Sequence, residues 1–161
     1  MPSTSKRRKV EVWSVRCELY GHSASTHKLA GDSYGHLLGR TPRGEIAEFD
    51  TFEDDVFAEL QTLFQELVGT DRHRRPWFSE VIGVACDKSP AGHGYSFTGK
   101  IWCPVCSSDA THYGPRNPPE FDTMCIPQVT HREWEQLSPV QKRMRLREAL
   151  QQSGHLLPDS D

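Results

Sequence analysis

The sequence predicts an α+β fold in which an antiparallel sheet carries one packed central helix and the chain ends in further helices. Strand-like segments are joined by short turns, one long segment has a strong helical period, and helix-start signals cluster near the C-terminus. Because the helices do not alternate with the strands, right-handed βαβ units and a parallel sheet are not expected. A chain of 161 residues is long enough for one such domain.

The N-terminal third is predicted to contain a strand, a loop and a hairpin. Apolar residues alternate moderately over residues 10–19, which is the pattern of a half-buried strand. Residues 20–35 are rich in Gly, Ser and His and predict a loop. Two apolar segments, 36–40 and 45–49, flank the tetrapeptide Thr-Pro-Arg-Gly, in which a proline followed two places later by glycine is typical of a hairpin turn.

Residues 51–68 form the clearest predicted helix. Thr51 and Asp54 have the spacing of a capping box, and acidic residues fill the first turn, where the helix dipole favours them. Gly69 supplies a stop signal. One apolar stripe runs along the segment at Phe52, Val56, Phe57, Leu60, Leu63, Phe64 and Leu67. We expect this stripe to be the core layer that packs on the sheet.

The second half is predicted to contain two strands and an irregular segment before it becomes helical. Residues 77–86 and 95–102 predict the strands, and the second leads into a cysteine-containing turn. Residues 107–129 are rich in proline and predict irregular structure. A short helix is expected from Thr130, followed by a longer one from Ser138 to about residue 152. The inward-facing residues of the longer helix are predicted to be Val140, Met144 and Leu150.

Composition narrows the functional classes. Hydrophobic residues make up 35% of the chain and charged residues 25%, and the mean hydropathy is −0.65. No segment approaches the roughly 18 uninterrupted apolar residues of a membrane span. The net charge of −3 argues against a protein that coats nucleic acid by bulk charge. The sequence has no P-loop, dinucleotide-binding or nucleophile-elbow motif, so no enzyme activity is predicted.

Five cysteines are spread along the chain, at Cys17, Cys86, Cys103, Cys106 and Cys125. An odd, scattered set is a poor disulfide framework, and no apolar segment typical of a secretory signal follows the basic N-terminus. Both features predict a reducing compartment. We expect a cytoplasmic protein, or a nuclear one in a eukaryote, because residues 6–9 (KRRK) resemble a nuclear-import signal.

A C-P-V-C motif at residues 103–106 indicates half of a metal site, because the turn between two such thiolates brings both sulfurs to one side. Two predicted strands also end in a cysteine, at Cys17 and Cys86. Since thiolate is the more frequent ligand, we predict a closed four-sulfur site that holds a structural Zn²⁺ ion. Its predicted ligands are Cys17, Cys86, Cys103 and Cys106. His22 and His93 are the alternative ligands that could replace a cysteine.

Residues 15–22 (VRCELYGH) resemble the first knuckle of a zinc ribbon, in which a strand delivers C-x-x-C-G-H into a tight turn. Tyr20 stands where the second cysteine of that knuckle would be, so the knuckle is incomplete and His22 is a candidate for the missing ligand. The resemblance is confined to residues 12–22 and 81–108. It implies zinc-ribbon-like hairpins around a structural metal, and it implies nothing about a partner.

The predicted organisation is a single zinc-stabilised domain over residues 10–153. Residues 1–9 are predicted to be a flexible basic tail, and residues 154–161 a flexible C-terminal tail. No internal repeat interrupts the domain.

Three functions fit these features. A closed four-ligand site leaves no open position for a substrate water, which favours a non-enzymatic protein-interaction module of the adaptor or inhibitor type, with another protein as its partner. The alternative is a nucleic-acid-binding zinc ribbon. The basic residues that would contact nucleic acid or an acidic protein are Arg72, Arg74, Arg75, Lys142, Arg143, Arg145 and Arg147. The second alternative is a dithiol oxidoreductase, because W-C-P-V-C resembles the thioredoxin active site, although no activating helix is predicted after it.

Overall fold

The fold is that of a computed structural model, which describes residues 4–31 and 33–157. Within these residues the strands form two antiparallel sheets, and the larger sheet has three strands. Strand β1 (Ser5–Cys17) is central in this sheet. Its neighbours are β2 (Ser23–Leu29) and β5 (Thr111–Pro127), and both run antiparallel to it. The antiparallel part of the predicted fold class is therefore confirmed.

The predicted hairpin is formed by β3 (His36–Arg40) and β4 (Ile46–Asp50). Its turn is closed by the N–H of Thr41, which donates to the carbonyl of Glu45 at 3.0 Å. Gly44 has a φ of +85°, a conformation that glycine adopts without a steric penalty. The turn that the proline and glycine predict is thus present.

The predicted central helix is α1 (Asp55–Val68). It begins later than predicted because Asp54 is its cap, with a carboxylate that accepts the N–H of Val56 at 3.0 Å. The hydroxyl of Thr51 donates to the carbonyl of Gly35 instead. The buried stripe of the helix consists of Val56, Leu60, Phe64 and Val68.

Three more α-helices follow, α2 (Arg75–Val81), α3 (Arg132–Glu135) and α4 (Pro139–Gln152). The long C-terminal helix α4 begins where it was predicted to begin. Ser138 and Gln141 form a full capping box there, in which each side chain bonds the backbone of the other residue.

The inward face of α4 differs from the prediction. Leu146 and Leu150 are fully buried, whereas Val140 is 67% exposed and Met144 is 54% exposed. Each residue turns an α-helix by about 100°. Residues two and six positions before Leu146 therefore point well away from the buried face.

One hydrophobic core joins the hairpin to the helices. Its largest buried side chains are Phe49, Leu60, Ile82, Trp134, Leu146 and Leu150. The indole N–H of Trp134 donates to the carboxylate of Glu59 at 2.9 Å, so the polar edge of this buried ring is satisfied. Antiparallel sheets with segregated helices confirm the α+β class. Within residues 4–31 and 33–157, none of the helices has the length and apolar character that crossing a membrane requires.

The prediction of a strand over residues 77–86 is wrong. These residues belong to α2 and to the 3₁₀ helix that follows it (Ile82–Ala85). Pro76 lies in the first turn of α2, where the N–H that it lacks would have had no partner within the helix. Short apolar segments fit either a strand or a buried helix, and here the proline favours the helix.

The prediction of a strand over residues 95–102 is also wrong. Ser96 pairs with Arg40 through one isolated antiparallel bridge, and the rest of the segment belongs to no strand. Gly99 has a φ of +80°, which interrupts an extended backbone. Phe97 is nevertheless only 8% exposed, so the segment packs on the core as irregular chain.

Strand β2 occupies much of the predicted loop over residues 20–35. It is an edge strand of polar sequence, SASTHKL, and its pairing with β1 extends along its whole length. The apolar alternation that identifies a half-buried strand is missing from it, and the prediction therefore missed it.

Most of the segment predicted to be irregular, residues 107–129, forms β5. Strand β5 lies at the edge of the sheet and pairs with β1 on one side. An edge strand tolerates proline, because an N–H group on its outer side has no neighbouring strand to bond. The register with β1 shifts where Val12 pairs with Glu120 and Trp13 with Pro115. The residues of β5 between these two pairs have no counterpart in β1, and they include two of the prolines.

Most of the predicted flexible basic tail belongs to β1 instead. The ammonium of Lys6 lies 3.0 Å from the carboxylate of Asp50, and the guanidinium of Arg8 donates to Glu48 at 2.8 Å. Ion pairs therefore tie this basic segment to β4. Thr4 precedes the strand and accepts the N–H of Gln128 at 2.8 Å. Residues 1–3 lie outside the described residues.

The chain after α4 packs on α2. The ring of His155 stacks on Trp77 with ring centroids 4.4 Å apart, and its Nε2 lies 2.8 Å from the carboxylate of Glu80. The beginning of the segment predicted to be a C-terminal tail therefore contacts α2. Residues 158–161 lie outside the described residues.

Candidate metal centre

Two loops at one end of the larger sheet bring together three cysteines and a histidine. Cys17 ends β1, and His22 immediately precedes β2. Cys103 and Cys106 lie in the segment that leads into β5. One ligand atom from each of these residues lies within 4.8 Å of the others. We refer to Cys17, His22, Cys103 and Cys106 as the metal cluster.

The loop between β1 and β2 positions the first two ligands. The N–H of Cys17 donates to the carbonyl of His22 at 2.9 Å, and the N–H of Gly21 donates to the carbonyl of Cys17 at 3.0 Å. Gly21 has a φ of +69°, and glycine reaches this conformation without a steric penalty. These bonds close a tight turn that keeps the sulfur and the imidazole near each other.

The loop over residues 103–108 is closed in the same way. The N–H of Cys103 donates to the carbonyl of Ser108, and the N–H of Ser107 donates to the carbonyl of Cys103, both at 2.8 Å. Ser107 has a φ of +61°, a conformation that is uncommon outside glycine and that this turn imposes. The backbone N–H groups of Val105 and Cys106 bond the sulfur of Cys103. Such a turn favours the thiolate form of its first cysteine.

Strand pairing holds the two loops in place relative to each other. Cys17 is the register partner of Thr111 at the start of β5. One residue further, the N–H of Glu18 donates to the carbonyl of Ala110 at 2.9 Å. The metal cluster therefore lies where the β1–β2 turn meets the chain that enters β5.

Two interatomic distances within the metal cluster are close to those of a tetrahedral zinc site. The Sγ atoms of Cys17 and Cys106 lie 3.6 Å apart, and Sγ of Cys103 lies 3.6 Å from Nδ1 of His22. With Zn–S bonds of about 2.3 Å and Zn–N bonds of about 2.0 Å, tetrahedral angles give S···S distances of about 3.8 Å and S···N distances of about 3.5 Å. Three sulfurs and one imidazole are also a common donor set of structural zinc sites. The four residues are therefore close enough to hold one metal ion.

The loop backbone favours ionisation of Cys103. Burial opposes the charge, but the N–H groups of Cys106 and Val105, with the side chains of His22 and Cys106, outweigh it and lower the pKa of Cys103 to about 6. At neutral pH this cysteine is mainly a thiolate, which is the form that binds a metal.

The pKa of Cys106 is shifted in the opposite direction. The N–H of Ser108 favours its thiolate, but burial and the sulfurs of Cys103 and Cys17 outweigh that bond and raise the pKa of Cys106. Thiolates at such short distances repel one another, and a divalent cation between them removes this repulsion. The electrostatics of the metal cluster therefore favour a bound cation.

Cys86 is not part of the metal cluster, so the predicted ligand set is corrected at this position. Its side chain packs against the hydrophobic core, and burial, together with Asp54 and Asp87, raises the pKa of its thiol. His22, the alternative ligand, takes the fourth position. The knuckle-like sequence around His22 was the stronger signal, because the strand end assigned to Cys86 is a helical segment.

The other candidate ligand, His93, and the fifth cysteine, Cys125, lie elsewhere. The N–H of His93 donates to the hydroxyl of Ser89 at 3.1 Å, within a separate loop. Cys125 is exposed on β5. Among the residues that the structure describes, neither of them belongs to the metal cluster.

The C-P-V-C motif is not followed by a helix. After Cys106 the chain turns and enters β5 at Thr111. Thioredoxin-like sites use the N-terminus of a helix to lower the pKa of the attacking thiol, whereas here the N–H groups of a short loop do so. This arrangement is typical of a metal-binding loop.

Most of the predicted basic residues of α4 are paired with acidic side chains of the same chain. The ion pairs join Lys142 to Glu59 at 2.8 Å, Arg143 to Glu66 at 2.6 Å and Arg145 to Glu133 at 3.6 Å. Arg147 is exposed on the same helix. The field that these cations would present to a polyanion is therefore weakened by neighbouring glutamates.

The basic residues before α2 have mixed environments. Arg74 donates to the carbonyl of Val68, and its guanidinium lies 5.6 Å from the centroid of the Trp77 ring. Arg72 and Arg75 are exposed. Arg74 thus helps to close the end of α1, and binding of a partner by these three residues stays a prediction.

A second ionisable cluster, which sequence reasoning missed, joins β1 to the hairpin. Glu48 is fully buried, accepts a bond from Arg8 at 2.8 Å and lies 2.9 Å from Nδ1 of His36. Asp50 pairs with Lys6 at 3.0 Å. His36, Glu48 and Asp50 have the spacing of metal ligands, but the two cations already neutralise both carboxylates. This cluster is therefore an ion-pair network that joins the two sheets.

Comparisons with known proteins leave the function to be inferred from these residues. No protein-family model matches the chain, and no curated protein or solved structure matches it. The chemistry of the metal cluster is therefore the main basis for a functional proposal.

Proposed function

We propose that the chain is a non-enzymatic, zinc-binding interaction module in which the metal cluster holds one structural Zn²⁺ ion. The supporting observation is the cluster itself, whose three sulfurs and one imidazole nitrogen lie within 4.8 Å of one another, with two of the separations close to those of a tetrahedral zinc site. All four coordination positions would be filled by protein ligands. Such a site leaves no position for a reactive water, which is the arrangement of structural rather than catalytic zinc.

A metal at this place would stabilise a long segment, residues 86–110, that contains no helix or strand. The segment before β5 makes one isolated bridge, between Ser96 and Arg40. Near its end, the hydroxyl of Thr111 donates to the carbonyl of Ile101 at 2.7 Å. When bound, the ion would cross-link this segment to the β1–β2 turn, and metal binding would contribute directly to the free energy of folding.

We propose that the partner is another protein and that it binds beside the metal. Leu19 and Tyr20 in the first ligand loop are 64% and 70% exposed, and Val105 in the second loop is 60% exposed. We call these three residues the apolar tip. Burial of large apolar side chains at an interface contributes favourable hydrophobic free energy. If a metal ion already holds these loops in one conformation, they lose little conformational entropy when a partner binds.

Metal analysis of freshly purified protein tests the first part of this proposal. We expect one zinc ion per chain by mass spectrometry of the native protein and by elemental analysis. Protein that is folded but holds neither zinc nor another transition metal in stoichiometric amount would contradict it.

A matched pair of surface variants tests the second part. The first variant changes Leu19, Tyr20 and Val105 to Ser, and the control variant changes the exposed Val140 and Met144 of α4 to Ser. We expect a partner captured by the unmodified protein to bind the control equally and the first variant at least about tenfold more weakly. The zinc content of all three proteins should be equal. Equal partner affinity for the two variants would contradict a role for the apolar tip.

A further inference from the structure

A buried arginine without an acidic partner lines a small cavity between β2, β3 and residues 97–99. Arg40 is only 5% exposed. Its guanidinium donates to the hydroxyl of Thr26 at 2.8 Å and to the carbonyl of His27. Within residues 4–31 and 33–157, no carboxylate lies at ion-pair distance from it. A buried charge that meets only neutral acceptors is unfavourable in a folded protein.

A second cation, Lys28, lines the same cavity. Its ammonium lies 4.0 Å from the centroid of the Trp13 ring. Glu11 is its register partner in β1 but is not within ion-pair distance. Burial and repulsion from Arg40 lower the pKa of Lys28, and burial lowers the pKa of Arg40 to about 10. Both shifts indicate positive charge that is poorly compensated by the protein.

The rest of the cavity is largely apolar, and its volume is about 200 Å³. Its apolar lining consists of Leu29, Leu37, Leu38 and Phe97. His36 also lines it, but Nδ1 of that ring is engaged by Glu48. A guanidinium carries more N–H donors than the two acceptors near Arg40 can use. Donors thus remain for a ligand.

We propose that this cavity binds a small organic carboxylate, with its oxygens against Arg40 and Lys28 and its apolar tail against the leucines and Phe97. A guanidinium matches a carboxylate in geometry and charge. The apolar lining favours an acid with a hydrocarbon tail over inorganic phosphate, which would lose its hydration without enough polar partners. The cavity is smaller than the roughly 300–1,000 Å³ of typical drug-sized sites, so the acid has the size of benzoate or hexanoate.

A purely structural role explains only part of this arrangement. The two hydrogen bonds of Arg40 tie β3 to β2, and they would exist without a ligand. They do not account for a second, partly desolvated cation at the same cavity. An anion between Lys28 and Arg40 would relieve the repulsion between them.

Titration of the full chain with small anions tests the proposal. Sodium benzoate and sodium hexanoate are the two carboxylate probes, inorganic phosphate is the charged probe without a tail, and hexanol is the tail without a charge. We expect saturable amide shifts in NMR spectra at residues 28, 40 and 97 with at least one carboxylate. Phosphate and hexanol should cause no saturable shift at these residues.

Two matched lysine variants locate the site. Lys28→Met removes one cation and keeps an unbranched apolar stem over Trp13. Lys9→Met is its control, because Lys9 lies on the same sheet with its ammonium 4.5 Å from the ring centroid of Phe121. We expect the carboxylate to bind about tenfold more weakly to Lys28→Met and with unchanged affinity to Lys9→Met.

A third variant, Leu38→Phe, reduces the cavity and leaves both cations in place, and it should also weaken binding. The proposal is overturned if neither carboxylate binds, if phosphate binds more tightly than both, or if the two lysine variants bind equally well. None of these outcomes bears on the metal cluster, so the two proposals fail independently.

Discussion

Cys17 and Cys106 are separated by 89 positions in the chain, yet their Sγ atoms lie 3.6 Å apart. A disulfide bond is about 2.05 Å long, whereas two sulfurs on one zinc ion lie about 3.8 Å apart. The observed separation is too long for a disulfide bond and is compatible with two ligands of a common ion. It depends on the pairing of β1 with β5, because Cys17 and Thr111 are register partners at the end of the sheet.

The first prediction is that Cys106→Ser loses the metal and part of the stability. A serine hydroxyl is a poor zinc ligand, and structural metal binding is coupled to folding. We expect bound zinc to fall far below one ion per chain and the melting temperature to fall by about 10 °C. The core formed by β4 and the helices should remain, so the variant should still unfold cooperatively. Metal analysis and thermal unfolding followed by circular dichroism measure both effects.

Cys125→Ser is the control for this prediction, since Cys125 is an exposed cysteine outside the metal cluster. Its zinc content and melting temperature should equal those of the unmodified protein. A strong chelator should lower the melting temperature of Cys125→Ser and leave that of Cys106→Ser nearly unchanged. If the chelator has no effect on either variant, the cluster is not a metal site.

The second prediction separates His22 from Cys86 as the fourth ligand. His22→Ala should lose most of the metal, and His22→Cys should retain it, because a thiolate can take the place of the imidazole. Cys86→Ser should keep one metal ion per chain even if a buried hydroxyl lowers its stability. Cobalt substitution provides the measurement, because its absorption bands differ between a three-sulfur and a four-sulfur site. Loss of cobalt binding in Cys86→Ser together with retention in His22→Ala would restore the original ligand set.

The features that could be predicted from the sequence depend on neighbours along the chain. The hairpin turn, the stripe of α1 and the cap of α4 are each determined within a few residues, by a glycine, a helical period or a serine cap. The antiparallel, segregated arrangement followed from these elements. Half of the metal cluster was predictable for the same reason, because the C-P-V-C motif holds both sulfurs within one turn.

The features that could not be predicted depend on distant pairing. Strand β5 contains prolines and little apolar alternation, and its pairing with β1 across more than ninety residues is what makes it a strand. The basic segment at Lys6 and Arg8 becomes part of β1 because buried carboxylates lie opposite it on β4. Local sequence carries no sign of either partner. The choice between His22 and Cys86 also depended on tertiary structure, because it required knowing which segments meet in the folded chain.

The third prediction concerns the pH dependence of a buried histidine. His131 is 7% exposed, its Nε2 lies 2.9 Å from the carboxylate of Asp54, and its Nδ1 lies 2.6 Å from the carbonyl of Ala85. Both partners are acceptors, so they favour the charged ring, which donates from both nitrogens. Burial opposes that charge, but Asp54, the Ala85 carbonyl and the nearby Asp87 outweigh it and raise the pKa of His131 above its ordinary 6.5.

A raised pKa in the folded state means that the stabilisation is complete below the ordinary pKa and is lost as the pH rises through the raised value. We therefore expect the difference in unfolding free energy between the unmodified protein and His131→Gln to shrink as the pH rises above 6.5. Urea unfolding at several pH values measures it. His112→Gln is the control, because the His112 side chain is 81% exposed and its replacement should give a small difference at every pH. A difference for His131→Gln that stays constant with pH would contradict the charged ring.

The fourth prediction is that the buried carboxylate of Glu48 stabilises the fold far more than an exposed one that also forms an ion pair. Burial opposes its charge, but Arg8 and His36 outweigh burial and lower the pKa of Glu48. Glu48→Gln leaves those two groups without their carboxylate, and we expect it to lower the free energy of unfolding by about 3 kcal/mol. Glu53→Gln is the matched control, because the Glu53 carboxylate pairs with Lys6 at 2.9 Å but its side chain is 74% exposed. Its expected effect is below about 1 kcal/mol. Urea unfolding at pH 7 compares the two, and equal losses would mean that burial does not determine the strength of this network.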